Sequence, residues 1–409
     1  MKVALVNKHY QLGGIETVIH QLRRGLPQLG IATELWISEF GKLPAGEPVR
    51  PLYPPALNRL LHSRFAKLTE FFFPRREWTA RAFEKIARSD CDIVHVHGFD
   101  ETYADMEALV TLACTKPMVL TLHGAWLFTG GCGQPLGCER FTQVCGQCPQ
   151  VGVWPVPAED NTAAELEKKL RLLASAPIQF LSPSLHLRTK ALRSTPGRAW
   201  NITHLPNGVD TAFFHGTRKH DATARRALGV EPGRIVVLAM CRDFRDPVKG
   251  IPLLLGALQS LTEMELQVLL VGSYGEQVSV QLPGHLRPTP LGYVGGASAR
   301  RDLFEIADVF LMSSMEETFP CVVLEAMSAE CCVVSTPLEA VQEQLQSGVS
   351  GLLAADFSAT ALGNALRQAC ENPARTLEMG RNARTVVVQR FSEEAMVAGH
   401  AEFYRRLAG

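Results

Sequence analysis

The chain has 409 residues, 46% of them apolar and 20% charged, and its 41 Lys and Arg side chains balance 41 Asp and Glu side chains. This composition is typical of folded globular proteins, and the length exceeds what one hydrophobic core usually serves, so we expect two domains. The balanced charge argues against a nucleic-acid-binding protein. No apolar run reaches the roughly 18 residues of a membrane-spanning helix, and the apolar start is too short for a signal peptide. We therefore expect a cytoplasmic protein.

Short apolar runs recur along the chain and are separated by longer helical patterns. Continuous apolar runs that alternate with helices predict an α/β fold, in which parallel strands are covered on both faces. Ligands of such sheets bind beyond the carboxyl ends of the strands, so the loops after these runs are the candidate sites. The predicted strands are Val3–Val6, Ile93–Val96, Met118–Leu122, Ile178–Leu181, Ile235–Ala239, Leu266–Val271, Val309–Met312 and Cys332–Ser335.

Glycine and histidine mark the ends of the first three predicted strands. Gly13 and Gly14 stand between a strand and a helical stretch, a pattern that suits a structural turn or the close approach of a ligand to the backbone. His95, His97 and His123 lie at the ends of the next two strands, and a glycine follows each of the last two. A lone histidine is usually a packed or surface residue. Three of them at one sheet edge indicate a binding site.

Residues 55–78 combine Leu, Phe and Trp side chains with Arg and Lys side chains. Such a segment could lie on an anionic membrane as a basic amphipathic surface. It could equally be a helix that packs against the core and turns a cationic face to solvent. Both interpretations stay open, and the first predicts peripheral membrane contact through this segment.

Four cysteines are clustered in the glycine-rich loop 130–150, namely Cys132, Cys138, Cys145 and Cys148. Because disulfides are rare in the cytoplasm, clustered thiols there indicate metal binding or packing. The spacing, which ends in two cysteines separated by two residues, predicts a structural zinc site with four thiolate ligands. Two disulfides and an iron–sulfur cluster are the competing interpretations.

A second domain is predicted to begin at residue 198, after the turn residues 194–197. Within it, Arg242, Arg245 and Lys249 crowd the loop that follows the strand Ile235–Ala239. Cations at the carboxyl end of a strand suit a diphosphate, which arginine binds through two N–H groups and lysine binds as a point charge. A charged surface loop is the alternative.

Glu317 and Glu325 stand eight residues apart on either side of a Thr-Phe-Pro turn. They follow a predicted strand, so we expect Glu317 in the loop and Glu325 in the first turn of the next helix. A helix start offers unpaired N–H groups and the positive end of the helix dipole, and both favour a phosphate. We predict that amides within Pro320–Val323 bind phosphate and that the two carboxylates bind sugar hydroxyls. Two solvated glutamates are the alternative.

In their order and spacing these features resemble glycosyltransferase family 4, whose members are retaining enzymes with the GT-B fold and nucleotide-diphospho-sugar donors. The family signature, two glutamates separated by seven residues, is matched by Glu317 and Glu325. The other matches run nearly from end to end and comprise Gly13–Glu16, Asp92–His97, Ser182–Ser184, Leu205–Asp210 and Lys249–Gly250. The cysteine loop, together with Thr121–Cys132, is similar to a subgroup from colanic-acid and other exopolysaccharide clusters. That subgroup usually has Asp at the position of Gly124.

The resemblance implies an α/β protein of two Rossmann-like, doubly wound domains that face a central cleft. Residues 1–197, with a C-terminal helix at 391–409, would form the acceptor-side domain that carries the cysteine loop. Residues 198–390 would form the domain that binds the nucleotide-sugar.

The resemblance also implies roles for single residues. Glu325 would accept hydrogen bonds from the ribose, and Glu317 would bind the donor sugar near its anomeric carbon. Lys249, with Arg242 or Arg245, would neutralise the departing diphosphate, and the implied catalytic set is Glu317, His123, Lys249 and Arg242. Further donor contacts would come from Gly14, from the backbone near Val294 for the base, and from Phe319, Pro320, Cys321 and Val322.

We therefore expect a hexosyltransferase that uses a UDP- or GDP-linked donor and a glycan or lipid-linked acceptor in polysaccharide biosynthesis, at the inner face of the membrane. No catalytic metal and no nucleic-acid partner are expected. Front-face attack guided by the leaving diphosphate is favoured, because no nucleophile stands out in these motifs. The alternatives are transfer to a soluble small acceptor, a non-catalytic sugar-nucleotide-binding protein, and a nucleotide-sugar epimerase on the same fold.

Overall fold

The structure is a computed structural model, and it describes residues 1–11, 13–39, 48–54, 60, 74–217, 219 and 221–409. The described chain divides into two compact units. The first unit comprises Met1–Pro206 and Met396–Gly409, and the second comprises Asn207–Ala395. The boundaries of the units thus lie at 206/207 and 395/396, whereas the sequence analysis places them at 197/198 and 390/391.

The first unit is built on a seven-stranded sheet. Its strands are β1 (Lys2–His9), β2 (Ala32–Glu39), β3 (Val49–Pro51), β4 (Ile93–His97), β5 (Met118–Thr121), β6 (Ile178–Ser182) and β7 (Ile202–His204). Every neighbouring pair is parallel, in the order β3-β2-β1-β4-β5-β6-β7. The α-helices described here are Gly14–Gly25, Arg75–Ala87, Met106–Ala113, Thr162–Leu173 and Leu185–Arg193, and Glu393–Ala408 belongs to this unit from residue 396.

The second unit has a six-stranded sheet. Its strands are β8 (Ile235–Asp243), β9 (Leu266–Ser273), β10 (Thr289–Gly292), β11 (Val309–Met312), β12 (Cys332–Ser335) and β13 (Leu352–Leu353). They are again all parallel, in the order β10-β9-β8-β11-β12-β13. The α-helices described here are Ala222–Ala227, Ile251–Gln259, Gly275–Ser279, Ala297–Ile306, Cys321–Ser328, Glu339–Gln342, Ala359–Glu371 and Pro373–Arg390.

The two sheets confirm the predicted α/β class with parallel strands. All eight predicted strands are present, because each is a mainly apolar run and the sheet is covered on both faces. Strand β2 escaped prediction, since polar pairs flank its short apolar run Leu35–Ile37, and Glu34 within it is buried beside Lys2 and Arg50. Strands β3, β7, β10 and β13, which are two to four residues long, also escaped prediction.

Strand β4 shows how two packed faces arise from period-two alternation. Val94 and Val96 belong to the apolar cluster that also contains Leu109 and Leu112 of the helix Met106–Ala113. Consecutive side chains of a strand point to opposite faces, so His95 and His97 face the other side of the sheet. Both histidines are fully buried there.

Most of the basic segment 55–78 lies outside the described residues, so the predicted membrane contact stays a prediction. At its described end, Arg76 pairs with Glu107 at 2.7 Å, and Trp78 packs against the apolar core of the first unit. Across the described ranges, no helix combines the length and the apolar character that crossing a bilayer requires.

Candidate active site

The strand order of the second unit changes direction between β8 and β11, which are hydrogen-bonded neighbours. In doubly wound sheets such a switch point opens a crevice at the carboxyl ends of the strands, and ligands bind there. Arg242 is the penultimate residue of β8, Arg245 and Lys249 lie in the loop after it, and the loop after β11 carries Glu317. The fold therefore brings the predicted cations and one predicted carboxylate to a single sheet edge.

Lys249 and Glu317 form an ion pair at this edge. The Lys249 Nζ donates a hydrogen bond to Glu317 Oε1 at 2.8 Å, and the Ser314 hydroxyl donates to the same oxygen at 2.9 Å. Burial acts to lower the pKa of Lys249, but the charge of Glu317 and the hydrogen bond to it outweigh burial and leave that pKa raised. The lysine is therefore charged, and Glu317 is held in place by two donors.

Close backbone packing holds the two loops together. The Ser313 hydroxyl donates to the Lys249 carbonyl at 2.7 Å, and the Thr336 hydroxyl donates to the Ser314 carbonyl at 2.6 Å. Gly250 has φ of +61°, and a Cβ at that position would lie 2.1 Å from the Ser313 carbonyl oxygen. Only glycine satisfies both requirements, which explains why Lys-Gly occurs as a unit here.

The two arginines of the β8 loop have different surroundings. Arg245 donates to the Asp243 carboxylate from Nε at 3.1 Å and from Nη2 at 2.9 Å, and its guanidinium lies 3.5 Å from the centre of the Tyr274 ring. The Arg242 side chain is exposed and forms no hydrogen bond or ion pair with another described residue, although its charge also acts on Asp243. Asp243 and Tyr274 thus hold the Arg245 guanidinium in place, whereas the Arg242 guanidinium is available to a ligand.

Glu325 lies in the second turn of its helix, not in the first turn as predicted. The helix begins at Cys321, which makes Glu325 its fifth residue, because the turn before it continues through Pro320. Its carboxylate is almost fully buried and is bound by Arg300, from Nε to Oε2 at 3.0 Å and from Nη2 to Oε1 at 2.8 Å. Sequence reasoning missed Arg300, since nothing in the pattern of the helix Ala297–Ile306 marks it.

The start of the helix Cys321–Ser328 is fixed by two amide side chains. Asn207 donates to the Phe319 carbonyl at 3.3 Å, and Gln344 donates to the Pro320 carbonyl at 3.2 Å. Burial raises the pKa of the Cys321 thiol to about 12, so this thiol is not a nucleophile. The segment is an ordered helix start.

Val322 and Val294 complete the predicted donor contacts of this unit. Val322 is the second residue of the helix Cys321–Ser328, and Val294 lies just after β10. Both are partly buried against the apolar cluster that contains Phe319. Their side chains therefore serve packing, which leaves the backbone to contact a ligand.

In the first unit, the glycine pair after β1 is ordered by Glu16. Its carboxylate accepts from the Gly13 amide at 2.7 Å and from Asn7 Nδ2 at 2.9 Å. Gly14 is the first residue of the helix Gly14–Gly25 and is exposed. Glu16 is thus a structural residue, and the exposed Gly14 leaves the backbone of the helix start open to approach.

The histidines predicted at the strand ends form a chain in which His95 and His97 are fully buried and His123 is partly exposed. His97 Nδ1 lies 3.0 Å from His123 Nε2, and the His95 and His97 rings are 4.0 Å apart. His95 also bonds the Thr121 hydroxyl at 2.7 Å and the Tyr404 hydroxyl at 2.5 Å. Burial, followed by the charge of a neighbouring imidazole, lowers the pKa of His123 to about 3. His123 is therefore neutral at physiological pH.

The proton positions of His97 and His123 follow from their surroundings. His97 Nε2 is buried and has no hydrogen-bond partner among the described residues. Because a buried N–H is left unpaired less often than a buried acceptor, we assign the proton of His97 to Nδ1, which then donates to His123 Nε2. His123 consequently carries its own proton on Nδ1, and this nitrogen is a donor.

Two family models match the chain, one described as Glycosyltransferase Family 4 over residues 12–213 and one as Glycosyl transferases group 1 over residues 221–386. Together they account for both units. The chain belongs to glycosyltransferase family 4. The predicted family and the predicted enzyme class, a glycosyltransferase, are thereby confirmed.

Several curated relatives of this family 4 protein are known by name. The putative colanic acid biosynthesis glycosyl transferase WcaC of Escherichia coli K12 is 26% identical over 274 residues, 62% of each chain. The phosphatidyl-myo-inositol mannosyltransferase of Mycobacterium tuberculosis H37Rv is 31% identical over 223 residues, 51% of this chain and 55% of the relative. The D-inositol 3-phosphate glycosyltransferase of Arthrobacter sp. FB24 is 23% identical and spans 91% of this chain and 85% of the relative. The matches to the first two span less than two thirds of the relatives' lengths.

Solved structures of similar fold confirm the predicted GT-B architecture of this family 4 chain. Sucrose-phosphate synthase from Thermosynechococcus elongatus superposes with a TM-score of 0.72 at 21% identity, covering 100% of this chain and 99% of that chain. HepE of Anabaena, in complex with UDP and glucose, superposes with a TM-score of 0.72 at 20% identity, covering 99% and 100%.

The cysteine loop of this family 4 chain is a separate feature of the first unit. Cys132, Cys138, Cys145 and Cys148 are free thiols that line one cavity of about 20 Å³. That is room for about one water molecule or one ion, and four thiols are a donor set that zinc accepts. Within the described part of the chain, however, no group of three or more His, Cys, Asp or Glu side chains has the arrangement that would hold a metal ion. The zinc site stays a prediction.

Protein contacts also hold the cysteine loop. Lys169 is fully buried, and its Nζ donates to the Trp126 carbonyl at 2.7 Å and to the Thr129 carbonyl at 3.0 Å. Asp160 accepts from the Cys148 amide at 2.8 Å. The helix Thr162–Leu173 and the residue Asp160 just before it thus hold the two ends of the loop, a support that the glycine-rich sequence of the loop does not reveal.

Proposed function

We propose that this family 4 protein is a retaining glycosyltransferase. It moves a hexose from a nucleotide-diphospho-sugar to a hydroxyl of a glycan or lipid-linked acceptor in polysaccharide biosynthesis. The observation that carries the proposal is the ion pair of Lys249 and Glu317 at the switch point, 2.8 Å between Nζ and Oε1, with the buried Glu325 following on the next helix. This arrangement supplies a fixed cation and one carboxylate at the sheet edge, and a second carboxylate on the helix that follows.

The cations would act on the leaving group. As the glycosidic bond to the donor breaks, negative charge builds on the diphosphate, and preorganised donors stabilise that charge. Lys249 is held in place by Glu317, and the Arg242 side chain, at the end of β8, is exposed and not engaged by a hydrogen bond. Arg245 is the weaker candidate, because Asp243 and Tyr274 already engage it. The amides at Phe319, Pro320, Cys321 and Val322 would add the field of a helix start, apart from proline, which has no N–H.

The carboxylates and the histidine would recognise the sugars of the donor. Glu325 would accept hydrogen bonds from the ribose, and Glu317 would bind the transferred sugar near its anomeric carbon. His123 would donate to a hydroxyl of that sugar. Gly14 would allow the donor phosphate or the acceptor to approach the helix start, and the backbone at Val294 would hold the base.

Retention would follow from front-face attack rather than from a covalent intermediate. Glu317 is the carboxylate that we propose to lie near the anomeric carbon, and two donors, Lys249 and Ser314, already bind one of its oxygens. Hydrogen bonds to a carboxylate stabilise its charge and so weaken it as a nucleophile. The leaving diphosphate would then guide the acceptor hydroxyl to the same face.

The acceptor class rests on the relatives. The similarity to a putative colanic acid biosynthesis enzyme and to a phosphatidyl-myo-inositol mannosyltransferase supports a glycan or lipid-linked acceptor, reached at the cytoplasmic face of the membrane. The similarity to a D-inositol 3-phosphate glycosyltransferase, which spans more of the chain, supports transfer to a soluble small acceptor as the second candidate. Binding to vesicles of anionic and of neutral lipid separates the two, since only a membrane-bound enzyme needs the basic segment 55–78.

A structural zinc at the cysteine loop is part of the proposal. Cys132, Cys138, Cys145 and Cys148 would hold the ion, which would cross-link the loop and take no part in the chemistry. Elemental analysis of the purified protein should find about one zinc per chain. Cys148→Ser should reduce the metal content, whereas Cys114→Ser, at an exposed cysteine elsewhere in the unit, should not. A metal-free wild-type protein with unchanged thermal stability would refute the site.

A transfer assay tests the function itself. Purified protein is incubated with UDP-, GDP- and ADP-hexoses and a lipid-linked oligosaccharide, and the anomeric configuration of the product is read by NMR. We expect product with the configuration of the donor from one of the nucleotide classes. Glu317→Gln should lower turnover by about a hundredfold or more, whereas Glu378→Gln, at an exposed position of the helix Pro373–Arg390, should not. Equal turnover in the two variants would refute the site assignment.

A further inference from the structure

We propose that Arg300 fixes the orientation in which the Glu325 carboxylate binds the ribose hydroxyls, and that the two residues together select the cis-diol of a ribonucleotide over a 2′-deoxy sugar. This inference rests on the proposed nucleotide-sugar site. It adds a positioning residue that the family signature does not contain.

Arg300 and Glu325 are joined by a two-point contact between neighbouring helices. The guanidinium donates from Nε to Oε2 at 3.0 Å and from Nη2 to Oε1 at 2.8 Å. The Glu325 side chain is 5% exposed and that of Arg300 is 23% exposed. Two parallel hydrogen bonds to a buried carboxylate fix its rotation as well as its position.

This contact leaves a defined set of acceptor sites on Glu325. An ionised carboxylate has about four lone-pair sites, two on each oxygen. The two N–H groups of Arg300 occupy one lone-pair site on each Glu325 oxygen, which leaves one lone-pair site free on each oxygen. Two remaining acceptors on two neighbouring oxygens match the two O–H donors of a vicinal diol. A 2′-deoxy sugar offers only one donor and would leave one buried acceptor unpaired.

The charge of the buried Glu325 carboxylate gives a second reason for its ion pair with Arg300. A buried carboxylate without a counter-charge is strongly unfavourable. Burial acts to lower the pKa of Arg300, but its hydrogen bond to Glu325 and the charge of Glu325 outweigh burial and leave that pKa raised. Arg300 therefore supplies the counter-charge that the buried Glu325 carboxylate needs.

The chain supplies a matched control at the next position. Arg301 lies on the same helix, donates to Asp302 at 2.8 Å and lies 4.9 Å from the centre of the Phe213 ring. It makes no contact with Glu325. Arg301→Met therefore removes the same charge from the same helix without touching the proposed diol site.

The test compares dissociation constants of UDP, GDP and ADP with those of their 2′-deoxy counterparts, measured calorimetrically on the full chain. For the nucleotide that binds, we expect wild-type and Arg301→Met protein to prefer the ribose form by about tenfold or more. Arg300→Met should reduce this preference to about threefold or less. A change of fold stability alone would not alter the ratio of the two constants.

The remaining outcomes separate the inference from the proposed function. A wild-type preference that persists in Arg300→Met overturns the inference, and so does a wild-type protein that binds both sugar forms equally. If Arg300→Met does not fold, Arg300→Lys replaces it in the test. The lysine point charge cannot fix both Glu325 oxygens, so a ratio of the two dissociation constants that is unchanged from wild-type also overturns the inference. A wild-type protein that binds none of the nucleotides refutes the donor site itself.

Discussion

Lowering the pH from about 7.5 to about 5 should destabilise the first unit through its buried histidines. Burial lowers the pKa of His400 to about 4. The same cause, with neighbouring imidazoles adding to it, holds the pKa of His95, His97 and His123 below the ordinary range. An unfolded histidine takes up its proton near pH 6.5. Stability from these groups is therefore fully present above that value and is lost as the pH falls toward the folded pKa.

The magnitude for His400 follows from these values. The unfolded pKa of His400 is about 6.5, which is about 1.5 pH units above about pH 5. Each pH unit lowers the unfolding free energy by about 1.4 kcal/mol while His400 stays neutral in the folded protein. His400 alone should therefore cost about 2 kcal/mol of unfolding free energy at about pH 5 relative to about pH 7.5. His400→Leu places an apolar side chain at this buried position of the helix Glu393–Ala408 and removes the titrating group.

Urea unfolding at the two pH values measures this difference. We expect His400→Leu to lose about 2 kcal/mol less than wild-type protein on acidification. His285→Leu, at an exposed histidine of the second unit, should lose as much as wild-type. If His400→Leu and wild-type lose the same amount, the proposed burial of a neutral His400 is wrong.

Two further predictions concern the β8 loop. Arg242→Ala should weaken binding of the nucleoside diphosphate by about tenfold or more. Arg245→Ala should weaken it less, because Arg245 is already paired with Asp243. Calorimetry measures both affinities, and a larger loss in Arg245→Ala would show that Arg245 is the arginine that binds the diphosphate. Gly250→Ala should lower the unfolding free energy by more than about 1 kcal/mol, since its Cβ would meet the Ser313 carbonyl at 2.1 Å. Gly229→Ala has a similar φ of +74° in open space, so an equal loss there would show that the clash is irrelevant.

The sheets could be predicted because buried parallel strands need uninterrupted apolar runs. The same rule predicted which loops face the ligand edge, and so led to Lys249, Glu317 and the strand-end histidines. Strand β2 was missed for the complementary reason. Its charged Glu34 is buried beside Lys2 and Arg50, and such pairing depends on neighbours that the local pattern does not name.

The finer features of the site depend on tertiary packing. Arg300 meets Glu325 across 25 residues of sequence, and Tyr404 meets His95 across 309 residues, so no local pattern announces either pair. The choice between Arg242 and Arg245 was open in the sequence because both are arginines of one loop. Their surroundings distinguish them, and those surroundings exist only in the folded chain.

Thermal and chemical stabilisation by UDP, GDP and ADP, measured beside Glu325→Gln, tests the central claim most directly. A nucleotide that binds the native site should raise the unfolding free energy by roughly 2.7 kcal/mol at about a hundredfold excess over its dissociation constant. The account predicts this rise for one nucleotide class and its loss in Glu325→Gln, whose side chain has the same shape but one acceptor oxygen fewer. A rise of equal size in the variant would remove Glu325 from the site. No rise with any nucleotide would contradict the proposed donor site.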